Sequence, residues 1–167
     1  MATYLVIAHQ TVLGNELIEA FEDTLARDDQ AEFVLLVPAT PSAFLTSPPV
    51  GNIRDIARGV ARQASRSFRD AGFRIKWTII GDQSPLVAMD TEVRDHPEEY
   101  AGIIISTLPE GRSRWLELQL MQAAESLALP LVHVVDDQGM AVLFEPGPRG
   151  SDGSVLPNDV RSPDLAT

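Results

Sequence analysis

The sequence predicts a single α/β domain, a three-layer α/β/α sandwich built on a five-stranded parallel sheet, on three observations. Short β-branched or aliphatic runs alternate with longer segments of helical period, the pattern of successive β-α units. Several of those runs are almost continuously apolar, as strands buried on both faces are. A chain of 167 residues with 44% hydrophobic content fills one core and is short for two.

The five runs are Tyr4–Ala8, Phe33–Val37, Phe73–Ile80, Ala101–Ser106 and Leu131–Val135, the third alternating more clearly and so expected nearer an edge. Between the first two, Asn15–Arg27 sets Leu17, Ile18, Phe21 and Leu25 at helical spacing behind Gly14 and Asn15. Residues 53–71 carry the clearest helical period, with Ile53, Ile56, Ala57, Val60, Ala64, Phe68 and Ala71 on one face and Arg54, Arg58, Arg62, Arg66 and Arg69 on the other; Gly72 is the stop. A third helix is expected from Ser84, with Pro85 at its first position and Leu86, Met89 and Val93 facing the sheet, until Pro97. A fourth is expected from Ser113 with Leu116, Leu120, Ala123, Ala124 and Leu127 as its stripe, closed by Pro130. The long Pro/Ser/Thr-rich stretch Pro38–Asn52 reads equally as a ligand-facing flap or as a tolerated insertion. The expected domain spans residues 1–138; within 139–167, Met140–Phe144 is a candidate for one added edge strand and the remainder, rich in Gly and Pro, reads as a flexible tail.

Composition excludes several function classes. With no cysteine the chain makes no disulfide, ligates no metal through thiolate and has no thiol nucleophile, which suits the cytosol. No basic leader opens the sequence and no apolar run reaches the roughly 20 residues of a membrane span. A formal net charge of -11 argues against a general nucleic-acid binder. The arginine stripe of residues 54–69 reads first as the solvated side of an amphipathic helix and second as a contact for an acidic partner or nucleic acid. His96 reads as a cap or surface residue and His133 as a packed imidazole, and no His/Asp/Glu spacing suggests a metal site.

Tyr4–Ala8 opening the chain, Gly81-Asp82 after the third strand and the closing Leu129-Pro130-Leu131-Val132-His133-Val134 resemble the universal stress protein family over roughly residues 3–136. The resemblance implies strand order 3-2-1-4-5, a ligand crevice between strands one and four, and pairing into a homodimer through the last strand. It also implies ATP or AMP as ligand, held in that family by an acidic residue after strand one and a Gly-x-x-Gly-x(9)-Gly-Ser/Thr motif after strand four. Here those places carry His9, Gln10 and Thr11, and Ser106-Thr107-Leu108-Pro109-Glu110-Gly111-Arg112-Ser113-Arg114, with Glu117 and Leu118 where the last glycine pair falls. The expected ligand is therefore widened to a nucleotide or another phosphorylated metabolite. The residues expected around it are His9, Gln10, Thr11, Val37, Ser106, Thr107, Gly111, Arg112, Ser113 and Arg114.

Hydroxyls, guanidinium groups and a helix N-terminus suit an anion. The same residues also read as plain structure: Ser113 as an N-cap, Ser106 and Thr107 as strand-end residues, Arg112 and Arg114 as solvated charges. Trp115 reads as packed under the adjacent loop or as a cover for a ligand or a partner. No catalytic constellation is expected. The weaker reading of a phosphate or acyl ester hydrolase would pair His9 with Ser106 or Thr107. A dimeric adaptor that has lost its nucleotide is the alternative to a ligand binder.

Overall fold

The computed structural model describes residues 1–8, 12, 14–40, 52–107, 119 and 122–135. Strand β1 (Thr3–Ile7) leads through α1 (Asn15–Arg27) to β2 (Glu32–Pro38), then α2 (Ile53–Asp70), β3 (Ile75–Gly81), α3 (Pro85–Asp95), β4 (Tyr100–Thr107) and β5 (Leu131–Val135). Residues 122–126, before β5, are helical. The sheet is parallel throughout, in the order β3-β2-β1-β4-β5. The segments 9–11, 41–51 and 108–118, residues 13, 120 and 121, and everything from 136 onward lie outside the described residues, and with them the stretch read as flap or insertion, the expected helix start at Ser113, the candidate strand Met140–Phe144 and the expected tail.

Alternation along the central strands sorts the core into two layers. Val6, Phe33, Leu35, Val37 and Ile104 face α1 and α2, whereas Leu5, Ile7, Val34, Leu36, Ile103 and Ile105 face α3 and Ala124 of the last helical segment. The first layer is aromatic at its base: Phe21 stacks on Phe33 at 4.1 Å between ring centroids and meets Phe68 and Phe73 edge-on at 4.9 and 5.2 Å.

Local chemistry explains the element ends. Asn52 Oδ1 accepts the Arg54 amide at 3.0 Å and caps α2, and Ser84 caps α3, with Pro85 at its first position. The end of α2 is a Schellman closure: the Phe73 amide reaches Phe68 O, the Gly72 amide reaches Arg69 O, and Gly72 takes φ +96°. This corrects two expectations. Phe73 belongs to the closure rather than to the strand, although its ring is buried, and Ala71 is an exposed C-cap rather than part of the apolar face. Gly81 ends β3 because α3 packs close there; a Cβ on it would stand 2.6 Å from the Ala88 Cβ.

The expectation that the third strand sits at an edge is met among the described strands, where β3 pairs only with β2. Arg54 Nη2 and Arg69 Nη2 donate to Ile80 O at 3.4 Å and Ile75 O at 3.0 Å, near the two ends of that edge strand. Arg58 pairs with Asp55 at 2.7 Å. The arginine stripe is thus partly an edge cover for β3, a role that helical periodicity alone does not reveal.

Candidate functional site

The two crossovers that leave β1 and β4 run to opposite sides of the sheet, so strand order reverses between these two neighbours. In open parallel sheets the crevice at such a reversal, beyond the carboxyl ends of the strands, is where ligands bind. Each helix follows its strand through a crossover, which brings the N-termini of α1, α2 and α3 to this same end.

Of the residues expected to line the crevice, Val37, Ser106 and Thr107 are described; His9, Gln10, Thr11, Gly111, Arg112, Ser113 and Arg114 lie outside the described residues, as does the pairing of His9 with a hydroxyl. The side chain of Val37 is wholly inside the α1–α2 core, so its part is packing. Ser106 and Thr107 diverge, because adjacent strand residues point to opposite faces. Ser106 continues the alternation of Ile104 toward the α1 side, and its Oγ is buried with no hydrogen-bond partner. Thr107 shares the other face with His133, whose Nε2 lies 2.8 Å from Thr107 Oγ1. The histidine is therefore a half-buried hydrogen-bonding partner of the strand-four hydroxyl rather than merely a packed imidazole. A polar residue interrupting the apolar Leu131–Val135 run was the sequence signal for it.

Glu16 was not singled out by sequence, since an acid in a first helical turn ordinarily does no more than complement the helix dipole. Its Oε2 is nevertheless buried and without a hydrogen-bond partner, a property it shares with Ser106 Oγ. Glu16 immediately precedes Leu17, which is fully buried in the α1–α2 core. The N-cap of α1 is Gly14, which supplies no side-chain cap, so the first-turn amides lack the capping that α2 and α3 have. At the same end of the sheet the ends of β2 and β3 are tied together: the Ala39 amide donates to Asp82 O at 3.2 Å and Thr40 Oγ1 to Gln83 O at 2.9 Å.

At the opposite, amino end of the sheet a second polar cluster is structural. The Tyr100 hydroxyl donates to Glu92 Oε1, which His96 Nδ1 also approaches at 3.1 Å. Burial, reinforced by the Glu92 hydrogen bond and charge, pushes the Tyr100 hydroxyl well above the ordinary phenol range. Lys76 bridges Glu99 and Glu32 and lies over the ring of Trp77. Among the described residues no group of three His, Asp or Glu side chains could hold a metal ion, and no helix is long and apolar enough to cross a membrane.

The reversed strand order and the all-parallel sheet define a doubly wound α/β domain whose fold is that of the universal stress protein class. Specifically, the chain is similar to a crystal structure of a universal stress protein family member from Burkholderia pseudomallei, with a TM-score of 0.53 and 17% identity over 79% of this chain and 94% of that one. At that identity the likeness is one of fold. No protein-family model matches the sequence. No curated protein matches it either.

Proposed function

We propose that this protein is a small-ligand-binding regulatory protein that holds a nucleotide or another phosphorylated metabolite in the crevice between β1 and β4, without efficient catalysis. The observation that carries the reading is the buried, unpartnered Ser106 hydroxyl at the carboxyl end of β4, beside the reversal of strand order. In this reading the phosphate is held by the loop of Gly111, Arg112, Ser113 and Arg114, supplied by sequence. Its test is a thermal melt against ATP, AMP, ribose 5-phosphate and inorganic phosphate. Ligand at about one hundred times its Kd stabilises by about 2.7 kcal/mol, a shift of several degrees. The combined variant Arg112→Ala, Arg114→Ala is expected to lose that shift, and a wild-type melting curve unmoved by every probe would remove the reading.

A second reading, a homodimeric adaptor, is favoured by β5. This strand has the apolar sequence Leu131-Val132-His133-Val134-Val135, all five residues are only half-buried, and its one partner among the described strands is β4. Such an edge suits a second copy of the chain. Light scattering on the purified protein tests it: dimers support pairing, and a monomer at every concentration excludes it.

A further inference from the structure

We infer that the outer face of the α1–α2 layer is a self-complementary docking surface for a second copy of this chain, held by charge. This surface stands apart from the crevice and from the β5 edge. Charge is segregated between the two helices. In α1, Glu16, Glu19, Glu22 and Asp23 stand against the single Arg27, a formal charge of -3. In α2, Arg54, Arg58, Arg62, Arg66 and Arg69 stand against Asp55 and Asp70, a formal charge of +3. Glu19, Glu22 and Asp23 are exposed, as are Arg54, Arg58, Arg62 and Arg69. Glu19, Glu22 and Arg62 enter no ion pair among the described residues. Both helices lie on one side of the sheet, since Leu17 and Phe21 share a core with Val60 and Phe68, and the rings of Phe21 and Phe68 meet at 4.9 Å. Each returns from the carboxyl end of one parallel strand to the amino end of the next, so the two run side by side in the same direction.

That arrangement selects the symmetry by which two copies meet. A two-fold axis lying in the face, between the helices and parallel to them, sets α1 of each copy on α2 of the other, acid against base twice over. An axis across the helices would set α1 on α1 and α2 on α2, and like charges so juxtaposed repel. The arginines of α2 recur every three or four residues, about 5 to 6 Å apart along the helix. Glu16, Glu19 and Asp23 recur at the same interval on α1, so the two rows keep step along parallel axes. Guanidinium groups take carboxylates in paired hydrogen bonds, which gives the contact direction as well as charge. Helices of 13 and 18 residues bound the contact at about 500 Å² per partner, the class of weak, transient interfaces. The net charge of -11 opposes the approach of two copies at a distance, so the attraction is local and sensitive to salt.

Analytical ultracentrifugation of the full chain over a range of concentrations tests the surface. Wild type is expected to dimerise at low salt and to dissociate at about 1 M salt, where the screening length falls to about 3 Å. Arg58→Glu with Arg62→Glu leaves both helices negative, and Glu19→Arg with Glu22→Arg leaves both positive. Each double variant is expected to raise the Kd of the dimer by roughly 100-fold, with circular dichroism reporting that it is folded. Mixed in equal amounts, the two variants should form a heterodimer, because an all-negative face then meets an all-positive one. A purely structural role of these side chains would not give that rescue. A wild type that stays monomeric at low salt would overturn the inference, and so would a mixture of the variants that stays monomeric. A dimer that both double variants retain would also overturn it, because the two copies would then meet on another surface, such as the β5 edge.

Discussion

Tyr100 shows how one side chain writes itself into the pH dependence of the whole protein. Its ring is buried under α3 and its hydroxyl donates to Glu92, so the folded state resists its ionisation. In the unfolded chain the same phenol ionises near its ordinary value of 10.0. The folded state therefore holds a proton that the unfolded state releases, and linkage gives the sign: this contribution is fully present below that value and is lost as pH rises beyond it. Urea unfolding followed from pH 8 to pH 11 is expected to show a steep alkaline loss of stability in wild type. Tyr100→Phe should be less stable at neutral pH, by roughly 1 to 3 kcal/mol for the lost hydrogen bond to the Glu92 carboxylate, and should show a shallower alkaline decline. Equal slopes for the two proteins would mean that Tyr100 does not control that limb. Glu16 and Ser106 lie at the other end of the molecule, where a polar atom is buried without a partner instead of with one.

At the scale of elements, the helix ends were the most legible part of the sequence. Ser84 followed by Pro85 predicted the start of α3, and that start is observed with Ser84 as N-cap; α1 has the same bounds in sequence and structure. Caps and turns are local chemistry, so neighbours in sequence suffice to specify them. Gly72 is a case in point, because its φ of +96° lies where a Cβ is unfavourable although nothing crowds the site. Gly72→Ala is expected to cost about 1 to 2 kcal/mol from backbone strain alone, read as a lower urea midpoint with an unchanged slope. The strand starts were less legible. Phe73 is as apolar as the strand it precedes, and only the Schellman hydrogen bond to Phe68 O tells the two apart.

For the molecule as a whole, stability is concentrated in the aromatic floor between the sheet and the helices α1 and α2. Phe21 touches Phe33, Phe68 and Phe73, which come from β2, the end of α2 and the turn before β3. Phe21→Ala leaves a cavity shared by three elements and is expected to lower the unfolding free energy by about 3 to 5 kcal/mol. A loss near 1 kcal/mol in urea titration would show that the layer collapses around the gap. The edge strand β3 belongs to this scale too, since arginines of α2 reach its carbonyls near both ends.

What the sequence determined by itself was the class of the fold and the identity of its elements, because hydrophobic period, caps and breakers act over a few residues and survive in a one-dimensional reading. It also indicated, through the strand order that the family resemblance implied, where strand order reverses in the sheet. Only the tertiary structure decided which polar groups meet there. Ser106 and Thr107 are adjacent in sequence yet separated by the pleat onto opposite faces, Thr107 meets His133 across a strand pair, and Glu16 and Ser106 each bury a side-chain oxygen without a partner. Those meetings depend on crossovers that bring distant segments together, and no local pattern records them.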